Sequence, residues 1–373
     1  MRWVAALAFA VAAAALPSCD CGRPTPPDGG EDAGEDGGMD AGADAGDGGS
    51  PGSDGGESDG GSDGGSGGMD GGSDGGEPDG GGSWDGGVQT VFLILMENTN
   101  WSSIAGSASA PYLNSLLPAG AHAEQYYNPP ALHPSESNYL WLITGQSFGI
   151  ADDNLPCTNH QATTLHLSHQ LTAAGISWLS YQEDIVPGTC PLINNNGGLY
   201  APKHNPFVFF DDIIGGPPPN CTSNGTDPFC VAHHRPMTAF AGDLGAGTVA
   251  RFNFITPNQC NDMHNSTGCA TTDRIRNGDT WLSGFVPPLL ASAAYRNGGA
   301  VIITWDEGGG GSDGPIGFIL LSPNARAGYS NTVHYTHSST LKTLQEIYGV
   351  GPLLGDAANP ATTDLGDLFT RFP

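Results

Sequence analysis

Apolar residues in this chain come in short unbroken runs, and two of the runs stop at acids. Val91-Phe92-Leu93-Ile94-Leu95-Met96 ends in Glu97-Asn98, and Val301-Ile302-Ile303-Thr304-Trp305 ends in Asp306-Glu307 followed by four glycines. Runs of this length and β-branched content predict buried strands. Further strands are expected over 176–181, 251–255 and 316–321. Helical spacing marks 111–117, where Tyr112, Leu113, Leu116 and Leu117 share a face. It also marks 135–144, ended by Gly145, and 165–174, stopped by Gly175. A helix over 280–294 must kink or restart at Pro287-Pro288, and a last helix is expected over 338–348. Residues 182–235, rich in Pro, Gly, Asn and Cys, read as a long ordered excursion. Strands alternating with helices predict an α/β fold, a mainly parallel central sheet sandwiched by helices.

In an open α/β sheet ligands bind at the carboxyl ends of strands. Two strand ends carrying oxygen donors, one followed by glycines that let backbone or phosphate come close, predict a shared site for a hard divalent cation. Glu97, Asn98, Asp306 and Glu307 are its candidate ligands.

Not all of the 373 residues belong to that fold. Residues 1–19 combine Arg2, an alanine-rich apolar run and Leu16-Pro17-Ser18-Cys19, the pattern of a bacterial export signal. The last four residues resemble a lipoprotein cleavage box, which makes Cys19 the candidate lipidated residue; the alternative is an ordinary secretory signal. The apolar run is shorter than the ~20 residues a membrane span needs. Residues 20–88 are dominated by Gly, Asp and Ser and lack the apolar side chains that could offset the entropy of ordering, so a disordered acidic linker is expected. Of the 39 acidic residues, 18 lie in this linker, so much of the net charge of −28 says nothing about a substrate. The folded domain is then expected over 89–373, as a monomer. It has no basic patch, which argues against a nucleic-acid partner.

Six of the eight cysteines fall in this domain. An even count in an exported chain predicts three disulfides, and the pairing that closes the most local loops is 157–190, 221–230 and 260–269. No Cys-x-x-Cys pair occurs there, which argues against zinc at these cysteines.

Polar clusters supply candidate chemistry. Ser135, in His133-Pro134-Ser135-Glu136-Ser137-Asn138-Tyr139, stands where a helix begins. It is either an N-cap or a nucleophile whose alkoxide the helix N-terminus and a nearby cation would favour. Lys203-His204-Asn205-Pro206-Phe207 and Asn261-Asp262-Met263-His264 are the second and third clusters. His334 and His337 precede the last helix, where His337 could equally belong to a capping cluster.

Taken in order, Glu97-Asn98, the segment 133–139, the segment 203–207, Asn261-Asp262-x-His264 with Gly278-Asp279-x-Trp281, and Trp305-Asp306-Glu307-Gly308 resemble the phosphoesterase family of bacterial phospholipases C and secreted acid phosphatases, within the alkaline-phosphatase-like superfamily. The resemblance runs over about 90–371. It implies that Glu97, Asn98, Asp306 and Glu307 hold a metal which Ser135 joins as nucleophile. It also implies that His204, His264 and His337 serve the phosphoryl group or the leaving group, with Asp262 orienting one of them. Two-zinc relatives carry Asp-His where this chain has Asp306-Glu307, which favours Ca²⁺, Mg²⁺ or Mn²⁺ over Zn²⁺. The expected activity is an extracytoplasmic, membrane-anchored or secreted acid phosphatase acting on phosphomonoesters. A phospholipase C or other phosphodiesterase is the alternative, and a non-catalytic surface binding lipoprotein is the reading from another class.

Overall fold

The computed structural model describes residues 86–264 and 266–372. The export signal, Cys19 and the linker up to residue 85 lie outside the described residues. The last three residues assigned to the linker are packed: Val88 is buried in the core, and the Gly86 carbonyl accepts a hydrogen bond from Asn324 Nδ2 at 2.8 Å.

Among the described residues ten strands form: β1 (Thr90–Met96), β2 (Ala121–Ala123), β3 (Tyr126–Tyr127), β4 (Trp178–Gln182), β5 (His234–Pro236), β6 (Phe252–Thr256), β7 (Gly299–Trp305), β8 (Phe318–Leu321), β9 (Tyr329–Asn331) and β10 (Tyr335–Thr336). Eight build one sheet in the order β5-β4-β6-β1-β7-β8-β2-β9, and β3 pairs with β10. Every pairing is parallel except the two made by β8, with β7 and with β2. The expected mainly parallel sheet is therefore present. β1 and β7 lie at its centre, and each is buried from Val91 or Gly299 to its last residue. Burial on both faces is why their sequences are continuous apolar runs without alternation.

The main helices are Pro111–Leu116, Ser135–Thr144, Leu167–Ala173, Arg274–Leu290 and His337–Tyr348. Ser135–Thr144 ends where expected, at Gly145 with φ of 71°, a left-handed C-cap open to glycine at little cost. A side chain there would also strike the backbone of residues 354–356. Arg274–Leu290 starts six residues before the expected 280, because Asp273 caps it by accepting from the Arg276 N–H at 3.1 Å. Pro287 and Pro288 lie inside it, and a separate turn, Ala293–Arg296, follows. Gly278 and Asp279 thus belong to a helix. Asp279 accepts from the backbone N–H groups of Tyr112 and Leu113, and so caps the helix Pro111–Leu116.

The excursion over 182–235 consists of short helical turns held by disulfides. The bonds are Cys157–Cys221, Cys190–Cys230 and Cys260–Cys269. The expected third pair is present; the expected 157–190 and 221–230 pairs are not. Cys190 Cβ instead packs against Gly225, whose N–H and carbonyl pair with the Cys190 backbone. This long-range bridge brings the Cys190 and Cys230 segments together across 40 residues.

Candidate active site

Parallel pairing sets the site. Met96 stands opposite Trp305 in the β1–β7 register, so the residues that follow, Glu97 and Asp306, emerge side by side. Two hydrogen bonds lock them: the Asp306 N–H donates to the Met96 carbonyl at 2.9 Å, and the Asn98 N–H donates to Asp306 Oδ1 at 2.8 Å. From the other neighbour, the loop after β6 closes onto the same point, with the Glu97 N–H donating to the Asp262 carbonyl at 2.7 Å.

Ser135, the first residue of its helix, points into this junction. Its Oγ donates to Glu97 Oε2 at 3.2 Å. Glu97, Ser135 and Asp306 are all buried and converge. Asn98 Nδ2 also donates to Glu97 Oε2, at 2.5 Å. Glu307 sits at the rim of this group, where its Oε2 is 2.6 Å from His133 Nδ1 and accepts from Asn138 Nδ2 at 3.0 Å. His133 Nε2 is in turn 3.0 Å from Asp313 Oδ1.

His204 lies between two carboxylates. Its Nε2 is 3.0 Å from Glu97 Oε1, its Nδ1 is 3.4 Å from Asp262 Oδ2, and its ring stacks on Tyr139 at 5.1 Å. Burial, then the charge of Lys203 and the neighbouring His264, push its pKa well down. A neutral imidazole has one N–H to offer, so one of the two carboxylates faces a ring lone pair. His264 is partly exposed, with an unpartnered Nδ1, and its backbone N–H donates to Asp262 Oδ1 at 2.7 Å. His337 takes a different place: fully buried, its Nε2 is 2.6 Å from the Asp306 carbonyl and its Nδ1 is 3.1 Å from the Tyr126 hydroxyl. Both nitrogens are engaged behind the site, so the ring buttresses the turn that carries Asp306.

The donor set fits a divalent cation. Asp306 Oδ2 is buried without a hydrogen-bond partner among the described residues, and Glu97 Oε1, Asp262 Oδ2 and His204 Nε2, although the ring lies 3.0 and 3.4 Å from the two carboxylates, make no well-aligned hydrogen bond there. Unpaired buried groups of this kind are costly. Burial first, and then mutual repulsion, pushes the Glu97 and Asp262 carboxyls well up and also raises Asp306. Glu97, His204 and Asp262 present ligand atoms within 4.8 Å of one another. Two donor sets therefore overlap at Glu97: Glu97, Ser135 and Asp306 on one side, and Glu97, His204 and Asp262 on the other.

Sequence reasoning passed over Lys203 and His133, although both stand inside segments it singled out. Lys203 is mostly buried beside these acids, and its Nζ donates to Asp153 Oδ2 at 2.9 Å. Burial works to lower its pKa, but the charges of Glu97 and Asp153 outweigh that and raise it. The four glycines after Glu307 begin beside Asn98, where a side chain on Gly309 would come within 3.0 Å of the Asn98 carbonyl. Gly309 N–H donates to Asn100 Oδ1, and a side chain on Gly308 would strike the Ser312 carbonyl, so the stretch forms a turn clamped by Asn100 and Ser312.

The family model described as "Phosphoesterase family" matches residues 81–351. The chain is 31% identical over 280 residues to a phosphatidylinositol-3-phosphatase of Mycobacterium tuberculosis, covering 74% of this chain and 82% of that protein. It is 28% identical over 273 residues to an acid phosphatase of Aspergillus fumigatus, covering 71% of this chain and 55% of that protein, so it spans little more than half of the fungal enzyme. Among solved structures, it resembles a protein in the alkaline phosphatase superfamily from Vibrio parahaemolyticus, with 13% identity, a TM-score of 0.49, and coverage of 74% of this chain and 71% of that one.

Proposed function

We propose that this chain, which belongs to the Phosphoesterase family and so to the hydrolases of phosphoric esters, is a metal-dependent phosphomonoesterase of the acid phosphatase kind with Ser135 as nucleophile. The observation that carries this reading is the convergence of Ser135 Oγ on Glu97 Oε2, 3.2 Å apart, beside the unpaired Oδ2 of Asp306.

Glu97, Asp306 and Ser135 would hold the cation, with Asn98 and Glu307 bracing them and His204 and Asp262 offering a second set of donors. A divalent cation supplies a lowered serine pKa and charge to offset the phosphoryl oxygens. Ser135 lies in the first turn of its helix, where N–H groups and the dipole favour an anion. As Oγ bonds to phosphorus, its proton leaves along the hydrogen bond to Glu97 and the bond to the ester oxygen breaks. His264, partly exposed, would give that oxygen a proton. Water then displaces Ser135 from phosphorus and releases phosphate. His204, held neutral between two carboxylates, is suited to ligation and not to proton donation. Lys203 adds one fixed positive charge beside the acids.

The curated relatives named above are both named as phosphatases, which supports monoesters over diesters. An extracytoplasmic address is supported by the three disulfides, and anchoring would rest on a lipid at Cys19. No helix among the described residues is long and apolar enough to cross a membrane. The test of the function is Ser135→Ala assayed on p-nitrophenyl phosphate with added cations. Turnover should vanish while the circular dichroism spectrum stays unchanged; near-wild-type hydrolysis by this variant would exclude Ser135 as nucleophile.

A further inference from the structure

Arg274 lies outside the segments that sequence reasoning singled out, yet its side chain reaches the turns after β1, β6 and β7. One terminal nitrogen of the guanidinium carries two N–H donors and uses both, on Thr99 Oγ1 at 2.6 Å and on the Met263 carbonyl at 3.1 Å. Thr99 Oγ1 donates in turn to the Glu97 carbonyl at 2.8 Å. The other terminal nitrogen stands beside the turn after β7, 3.1 Å from where a side chain on Gly309 would begin. The root of the arginine is fixed as well. Asp273, the cap before it, accepts from the Arg276 N–H at 3.1 Å and from Ser109 Oγ at 2.5 Å.

The turn that Arg274 holds is a strained one. Met263 has φ of 82°, left-handed for a residue other than glycine, and such a conformation persists only where the surroundings over-determine it. Three contacts do so. The Met263 carbonyl takes the hydrogen bond from Arg274. Its Sδ accepts from Trp305 Nε1 at 3.3 Å. Its Cγ packs on the helix Arg274–Leu290 at Gly278, where a side chain would stand 2.5 Å away. Met263 separates Asp262 from His264, so its backbone sets how the two residues are placed. The His264 N–H donates to Asp262 Oδ1 at 2.7 Å, and the Asp262 carbonyl accepts from the Glu97 N–H at 2.7 Å. Arg274 therefore joins the turn that carries Glu97 to the turn that carries Asp262 and His264.

We propose that Arg274 is a positioning residue for the reaction: one guanidinium nitrogen, shared between Thr99 and Met263, locks the turn 262–264 against the end of β1 and so sets Asp262 and His264 in place beside Glu97. The inference rests on the phosphomonoesterase reading and deepens it. Arg274→Met removes the donors at a half-buried position. On p-nitrophenyl phosphate with saturating cation it should lower kcat by roughly 10²-fold, the scale for misplaced reacting groups, and leave KM within about threefold of wild type. Hydrogen–deuterium exchange should quicken together at the Glu97 and His264 amides and keep its wild-type rate in the helix Ser135–Thr144. Arg274→Lys, whose single nitrogen can also donate twice, should recover kcat and the protection of these amides in step. Wild-type kcat in Arg274→Met, or faster exchange spread evenly over the fold, would overturn the proposal. So would an Arg274→Lys protein with kcat restored and the two amides still unprotected, since charge alone would then suffice. If the wild-type protein does not hydrolyse the ester, the phosphomonoesterase reading fails and exchange alone decides. Joint quickening at Glu97 and His264 in Arg274→Met would then support the brace, and unchanged exchange there would overturn it.

Discussion

The backbone N–H of Asn98 donates to Oδ1 of Asp306 at 2.8 Å, so the ends of β1 and β7 are joined through the side chain of an acid whose other oxygen is left unpaired in the buried site. One carboxylate thus has two tasks. Oδ1 fixes the turn after β1, and Oδ2 remains for a ligand.

Asp306→Asn separates these tasks, since the amide oxygen can still accept from Asn98 while the charge is gone. The fold should persist, with thermal unfolding near that of the wild type in chelator. Activity on p-nitrophenyl phosphate should drop roughly 10²–10³-fold, the scale for losing one group that stabilises developing charge. Retained activity would remove Asp306 from the site.

Removing cations should lower both activity and thermal stability, because an ion that binds only the folded protein stabilises it by mass action. The expected result of exhaustive chelation is loss of turnover and a lower Tm, both restored by one of Ca²⁺, Mg²⁺, Mn²⁺ or Zn²⁺. Unchanged activity and Tm after chelation would count against a metal at Glu97 and Asp306.

His337 should behave as a support. His337→Ala leaves the Asp306 carbonyl without its buried side-chain partner and the Tyr126 hydroxyl with Thr340 Oγ1 alone, at a cost of about 1–3 kcal/mol. Urea unfolding should show that loss. The shape of the pH–rate profile should stay as in the wild type; a missing limb in that profile would instead make His337 a proton donor.

Glu136, buried in the first turn of the helix Ser135–Thr144, is pushed up from 4.5 to about 9, chiefly by burial and partly by Asp153 and Asp152, against the hydrogen bond from Asn159. The folded protein therefore keeps a proton that the unfolded chain releases above pH 4.5. Its stabilising contribution is complete below pH 4.5 and is lost as the pH rises towards 9. Glu136→Gln, which keeps an oxygen for Asn159, should be more stable than the wild type near pH 8 by about 1–3 kcal/mol, with little difference at pH 4. Identical pH dependence of Tm in the two proteins would refute this.

Local patterns in the sequence account for the elements that carry the chemistry. The runs ending at Met96 and Trp305 are strands because buried central strands need continuous apolar residues. The helix Ser135–Thr144 closes at Gly145 because the chain turns left-handed there. The acids Glu97 and Asp306 and the serine at a helix start were legible as chemistry for the same reason: each interrupts a local pattern. Contacts between distant segments decided the rest. Strands of two or three residues such as β2, β3 and β10 have no periodicity to read. The bond of His337 to the Asp306 carbonyl spans 31 residues and the position of Lys203 beside Glu97 spans more than 100, so neither leaves a trace in its own neighbourhood. Cysteine spacing favoured short loops, but a disulfide forms wherever folding brings two sulfurs together, and Cys157 meets Cys221 across 64 residues. The chain itself supplies which residues can do chemistry; the β1–β7 register, a hydrogen-bonding match between segments more than 200 residues apart, determines that they meet at one point.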